Sequence, residues 1–202
     1  MTTNVTATCL LRPRERTWAR FYDIALILAS SFLIGLSAKA QFLLPFSPVP
    51  VTGQTFAVLV IGALLGARRG SLAVLAYIIQ GTMGMPVFAF GGGFAVLIGP
   101  TGGYLIGFIP AAYVTGLLAE KGWDRRIGTT VLAMILGNAI IYACGMFWLS
   151  CLMGISTKVM TVGICPFIIG DLLKIALAAA LLPLGWKLLE STGLCSKRED
   201  QT

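Results

Sequence analysis

The stretch Pro166-Phe167-Ile168-Ile169-Gly170-Asp171-Leu172-Leu173-Lys174-Ile175 lies inside an apolar run over about residues 162–189. A run of that length exceeds the roughly 20 residues that carry a helix across the hydrocarbon of a bilayer. Inside it, an unpaired aspartate or lysine costs roughly 2.5 to 3.5 kcal/mol on insertion. Three residues turn a helical side chain by about 300°, so Asp171 and Lys174 share one face, one turn apart. They read either as a self-neutralising ion pair that holds the helix in its bundle, or as a polar site within the membrane.

The rest of the chain has the same character. It is 57% hydrophobic and only 11% charged, against roughly 25% charged residues in soluble domains. Repeated long apolar runs, without the alternating short segments of a membrane barrel, predict an all-α membrane protein. Six spans are expected in one bundle, near residues 21–42, 54–67, 71–84, 104–118, 127–149 and 162–189. They make one transmembrane domain over 21–190, between a basic head at 1–20 and a polar tail at 191–202.

The head carries Arg12, Arg14, Arg16 and Arg20 ahead of an apolar run, and Ala38-Lys39-Ala40 offers a cleavage-like site. That run is too long for a signal-peptide core, and further spans follow it. Of fifteen basic residues, twelve fall in the head, in Arg68-Arg69, between Lys121 and Arg126, and from Lys187 onward. The positive-inside bias then places both termini in the cytoplasm at the cell membrane, with the loops after spans one, three and five outside. Lys39, Lys158 and Lys174 stand apart from this pattern. Short basic clusters between apolar runs also argue against a nucleic-acid partner.

Two outer connections are unusual. Leu44-Pro45-Phe46-Ser47-Pro48-Val49-Pro50-Val51-Thr52-Gly53 is too rich in proline to continue a helix. Residues 84–103, GMPVFAFGGGFAVLIGPTGG, hold seven glycines and no charge. A loop so apolar is expected to lie on or within the bundle, where nonhelical backbone is tolerated if it lines a cavity. No Gly-Lys-Ser or Gly-Lys-Thr follows the glycines, so they do not read as a phosphate loop.

A depth can be assigned to each polar side chain at about 1.5 Å per helical residue. Asp171 and Tyr142 fall at one level, Asn138 a turn below Tyr142, and Gln54, Gln80 and Tyr104 near the outer ends of their spans. Polar groups thus crowd the outer half of the membrane. A channel needs a polar path from face to face, whereas this pattern fits an outward-facing cup for a small solute. For Gln80, Tyr104 and Tyr142, anchoring or interhelical hydrogen bonding remains open beside ligand contact. The chain has no histidine, no GxSxG and no HExxH, so an intramembrane enzyme is disfavoured. Its five cysteines lack CxxC spacing, and neither a metal site nor a cofactor is expected.

Taken in order, the motifs Pro48-Val49-Pro50-Val51-Thr52-Gly53-Gln54-Thr55-Phe56, Gly84-Met85-Pro86-Val87-Phe88, Gly99-Pro100-Thr101-Gly102-Gly103-Tyr104, Gly137-Asn138 with Tyr142, and Pro166-Phe167-Ile168-Ile169-Gly170-Asp171 with Lys174 resemble the BioY family. These are biotin-binding S components of energy-coupling factor transporters. The resemblance implies biotin captured from outside, beneath the loop between spans three and four. The implied contacts are Asp171, Lys174, Asn138, Tyr142, Gln54 and Tyr104, with Gly92 and Gly93 in the covering loop. It also implies a transmembrane coupling protein and two cytoplasmic ATPases as partners, docked through a small-residue motif at Ala25 and Ala29. The alternatives are a binding component for another vitamin and a noncatalytic membrane scaffold.

Overall fold

The structure, a computed structural model, describes residues 6, 15–42, 45, 49–154 and 164–191. Most of the basic head, the connection carrying Lys158 and the tail after residue 191 lie outside the described residues.

Among the described residues the architecture is almost entirely helical. The helices are α1 (Arg16–Lys39), α2 (Gln54–Leu65), α3 (Ala67–Thr82), a five-residue α4 (Phe94–Ile98), α5 (Gly102–Glu120), α6 (Ile127–Met153) and α7 (Cys165–Ser191). Four of them are long and apolar enough to cross a membrane: α1, α5, α6 and α7. The expectation of a helical membrane protein therefore holds at that level. Helix α2 has 12 residues and α3 has 16, or about 18 and 24 Å of rise. Both fall short of the hydrocarbon core of a typical bilayer.

The reason for this shortness is the turn between them. The charges of Arg68-Arg69-Gly70 suggest a break after span two, but the break is a single residue, Gly66, at φ 85°. A Cβ there would sit 2.6 Å from Glu120 Oε1, which accepts a hydrogen bond from the Ala67 N–H at 2.9 Å. That bond satisfies one of the free donors at the start of α3. Arg68, Arg69 and Gly70 are consequently helical. Gly70 packs on Gly62, where a Cβ would lie 2.8 Å from the Gly62 Cα.

Successive long helices run in alternating directions, which gives the bundle two distinct ends. One end gathers Asp23 with Arg69 at 3.1 Å, Glu120 with Ala67, and Asp124 with Trp186. The other end carries two covers. The segment after α1 folds into a small antiparallel ribbon pairing β1 (Gln41–Phe42) with β2 (Val51–Thr52), so the proline-rich connection is partly a strand rather than only a stiff linker. The glycine-rich segment from Met83 to Gly93 forms the second cover, with Phe88 bridged to Gly91. It will be called the lid, and its end of the molecule the lid end.

Ser31 and Gly35 on α1 serve as close-approach positions. Ser31 exchanges hydrogen bonds with Gln80 of α3. A Cβ on Gly35 would meet Val87 of the lid at 3.1 Å. Ala25 and Ala29 face outward and are exposed.

Candidate ligand-binding site

Beneath the lid and the ribbon lies a cavity of about 570 Å³ of atom-free space, its open mouth included. Most of its wall is apolar, supplied by side chains such as Phe88, Leu105, Phe108, Ile141 and Phe167. Its polar lining comes from Thr52, Gln54, Thr55, Thr101, Tyr104, Tyr142 and Lys174. A few convergent polar groups in an apolar concavity is the usual composition of a small-molecule site.

The floor is built on α7. Lys174 Nζ lies 2.9 Å from Asp171 Oδ1, as the i,i+3 spacing predicts. The same ammonium donates to Thr55 Oγ1 at 2.9 Å, and the Thr55 hydroxyl donates to Asp171 Oδ1 at 3.3 Å. The Tyr142 hydroxyl donates to Asp171 Oδ2. Asp171 is 4% exposed, so a lone carboxylate there would be costly. Three donors from three helices compensate it. Thr55, Tyr142 and Lys174 line the cavity; Asp171 sits behind them and fixes where their polar atoms point.

The aromatic walls depend on small neighbours. Tyr104 and Tyr142 both tilt against Phe167, at centroid distances of 6.2 and 6.3 Å. A Cβ on Gly145 would lie 2.4 Å from the Tyr104 ring, so Gly145 makes the space the tyrosine occupies. Gln54 is buried; it accepts from Thr52 at 3.2 Å and donates to the hydroxyl of Tyr77. Tyr77, fully buried, meets Phe88 edge to face with centroids 5.4 Å apart. Phe88 in turn fills a notch at Gly81, where a Cβ would fall 2.1 Å from its ring.

Of the residues expected from sequence, the structure brings Gln54, Tyr104, Tyr142, Lys174 and Asp171 together. Asn138 is buried nearby on α6 but is not among the described lining residues. Its Oδ1 has no hydrogen-bond partner among the described residues. Gly92 and Gly93 do not line the cavity either. Gly92 crosses beneath the Met85 carbonyl, 2.2 Å from where a Cβ would be, and the Gly93 N–H donates to Gly81 O at 2.7 Å. These glycines let the lid double back, and the residues pressed inward are Phe88, Ala89 and Phe90. Thr55 and Tyr77 are additions. Thr55 follows Gln54 in the quoted motif, while Tyr77 on α3 has no local signal beyond its place one turn before Gly81.

A family model described as the BioY family matches residues 11–191. The chain belongs to the BioY family. Its relatives include a biotin transporter BioY of Thermotoga maritima, 44% identical over 166 residues that make up 82% of this chain and 96% of that protein. Another is a biotin transporter BioY of Rhizobium etli, 36% identical over 76% of this chain and 87% of that one. Among solved structures, the fold is similar to a crystal structure of the S-component for biotin from an ECF-type ABC transporter. The TM-score is 0.75 at 24% identity, over 87% of this chain and 95% of that chain. The residues matched by the family model, 11–191, include the cavity, its floor and its lid.

Proposed function

We propose that this chain captures biotin at the outer face of the membrane, as the substrate-binding S component of an ECF-type importer. The observation that carries this reading is the Lys174–Asp171–Thr55–Tyr142 constellation at the floor of an apolar, lidded cavity in a BioY-family chain. Biotin offers two ureido N–H donors, a ureido carbonyl, an apolar bicycle and a carboxylate. Thr55, Tyr142 and Tyr104 supply hydroxyls that donate or accept, and Lys174 supplies an ammonium donor. The apolar walls suit the bicycle. Gln54 completes the polar wall, Asn138 backs it from α6 with an amide oxygen that has no partner among the described residues, and the Gly92-Gly93 turn lets the lid close.

In this arrangement α1, α5, α6 and α7 cross the whole hydrocarbon core, and the shorter α2 and α3 complete the six spans together with the ribbon and lid that cap them, within a domain over 21–190 between cytoplasmic termini. The concentration of Arg68, Arg69, Lys121, Arg125, Arg126 and Lys187 at the end opposite the lid supports that orientation. Lipid surrounds the exposed apolar faces. The exposed Ala25–Ala29 face of α1 receives a transmembrane coupling protein, since small residues permit close helix approach. Two cytoplasmic ATPases drive uptake, and the chain itself catalyses no reaction.

Equilibrium binding of labelled biotin to the purified protein in nanodiscs, competed with other vitamins, tests the reading. Saturable binding displaced by biotin and not by thiamine or riboflavin is expected. Absence of saturable biotin binding by a folded protein, or preferential displacement by another vitamin, would overturn it.

A further inference from the structure

Lys39 stands on the opposite side of the chain from most basic residues, and neither topology nor the floor of the cavity accounts for it. It ends α1, and its Nζ donates to the carbonyl of Phe88 at 3.0 Å. Two residues on, Gln41 Nε2 donates to the carbonyl of Ala89 at 3.1 Å. Phe88 and Ala89, with Phe90, are lid residues that line the cavity. Gln41 also belongs to the ribbon, paired with Thr52, another lining residue. Two consecutive lid carbonyls are therefore held from outside by two side chains of one short segment.

We propose that Lys39 and Gln41 form a latch that keeps the lid closed, and that Lys39 is a positioning residue setting how long a ligand stays in the cavity. The proposal rests on the reading of this cavity as the biotin site. The Phe88 carbonyl receives the Gly91 N–H at 3.2 Å as well as Lys39, so the ammonium bonds the turn that presses the Phe88 ring against Tyr77 and Gly81. Opening the lid would lift that ring from its notch and break both outer hydrogen bonds. Lys39 and Gln41 are exposed, so water can replace their bonds once the lid lifts. They set an opening equilibrium without bearing the fold.

A lysine in the last turn of a helix also interacts favourably with the helix dipole. That role would alter the thermal stability of α1 and leave the lid unaffected, so the two are separable. The experiment compares wild type, Lys39→Met, Gln41→Ala, the double variant and Lys39→Arg in nanodiscs. Hydrogen exchange of peptides covering residues 84–94 in the empty protein reads lid opening, and dissociation of labelled biotin after a chase reads retention. Loss of one charge-assisted hydrogen bond from an exposed site should speed both about fivefold in Lys39→Met, and roughly tenfold in the double variant. Lys39→Arg, which keeps a donor of similar reach, should return both near wild type. A double variant within twofold of wild type in either readout overturns the latch, as does a change in melting temperature with unaltered lid exchange. Wild-type protein that binds no biotin would instead refute the functional reading, and the exchange arm would still decide the latch.

Discussion

Two aspartates are buried at opposite ends of this bundle, and they are treated differently. Asp171, below the lid, has both oxygens engaged, by Lys174, Thr55 and Tyr142. Asp124 lies in the short 3-10 turn Trp123–Arg125 between α5 and α6, at the opposite end, and is 2% exposed. Its Oδ2 accepts from Trp186 Nε1 at 2.5 Å, while its Oδ1 has no partner among the described residues. The Arg125 guanidinium sits over the Trp186 ring, 4.4 Å from the centroid. Burial pushes the Asp124 carboxyl above its ordinary value, with the Trp186 bond and the charge of Arg125 opposing that rise. Asp124 thus fastens the α5–α6 turn to the end of α7, away from the lidded cavity. Burial alone does not mark a site. What distinguishes Asp171 is that its donors also line a cavity.

The sharpest way to break this contrast is to neutralise Asp171. Asp171→Asn and Lys174→Ala are each expected to weaken biotin binding by about a hundredfold or more while the protein still inserts and folds, since each strips a charge-assisted pair from the floor. Combining Asp171→Asn with Lys174→Met should recover part of any lost melting temperature without recovering binding. Recovery of both would reduce the pair to a structural role. Thr55→Val, which keeps shape and removes the hydroxyl between ammonium and carboxylate, should weaken binding about tenfold, or ~1.4 kcal/mol, measured by the same titration. Normal affinity would exclude Thr55 from the floor.

At the other end the effects should fall on stability. Trp186→Phe removes the donor to a buried carboxylate and should cost about 1 to 3 kcal/mol, seen as a lower melting temperature with biotin affinity within twofold of wild type. A large loss of affinity would mean that the two ends are coupled. The smallest effect is a pH slope. A carboxyl with its folded-state pKa raised above the ordinary 3.8 binds more protons folded than unfolded, so its contribution to stability falls as pH rises from about 4 through the raised value. Asp124→Asn should remove that fall, and identical melting profiles from pH 4 to 8 for both proteins would contradict it.

The parts of this architecture readable in the sequence are those encoded locally. Asp171 and Lys174 are three residues apart in one apolar run, so the helix itself brings them together, and the long runs of α1, α5, α6 and α7 announce their own lengths. Tyr142 could be placed at the level of Asp171 from helical rise alone. Thr55 is different: it meets Asp171 across 116 residues of chain and reads in sequence as an ordinary first-turn hydroxyl. The α2–α3 turn was obscured because two arginines resemble a span boundary more than a lone glycine does, although only the glycine takes the left-handed backbone. In the lid, a run of three glycines draws attention to itself, yet its conformational freedom serves to push Phe88 inward. Which side chain a flexible turn presents depends on the notch waiting for it at Gly81, on the helix before the lid, which no local pattern around the glycines reveals.

The pairing at the floor has an electrical consequence. A carboxylate and an ammonium 2.9 Å apart sum to no net charge, so an electric field along the bundle exerts almost no net force on the floor of the empty cavity. A transmembrane potential acts at about 2.3 kcal/mol per elementary charge per 100 mV. In a full cavity that force falls on whatever charge the ligand itself carries.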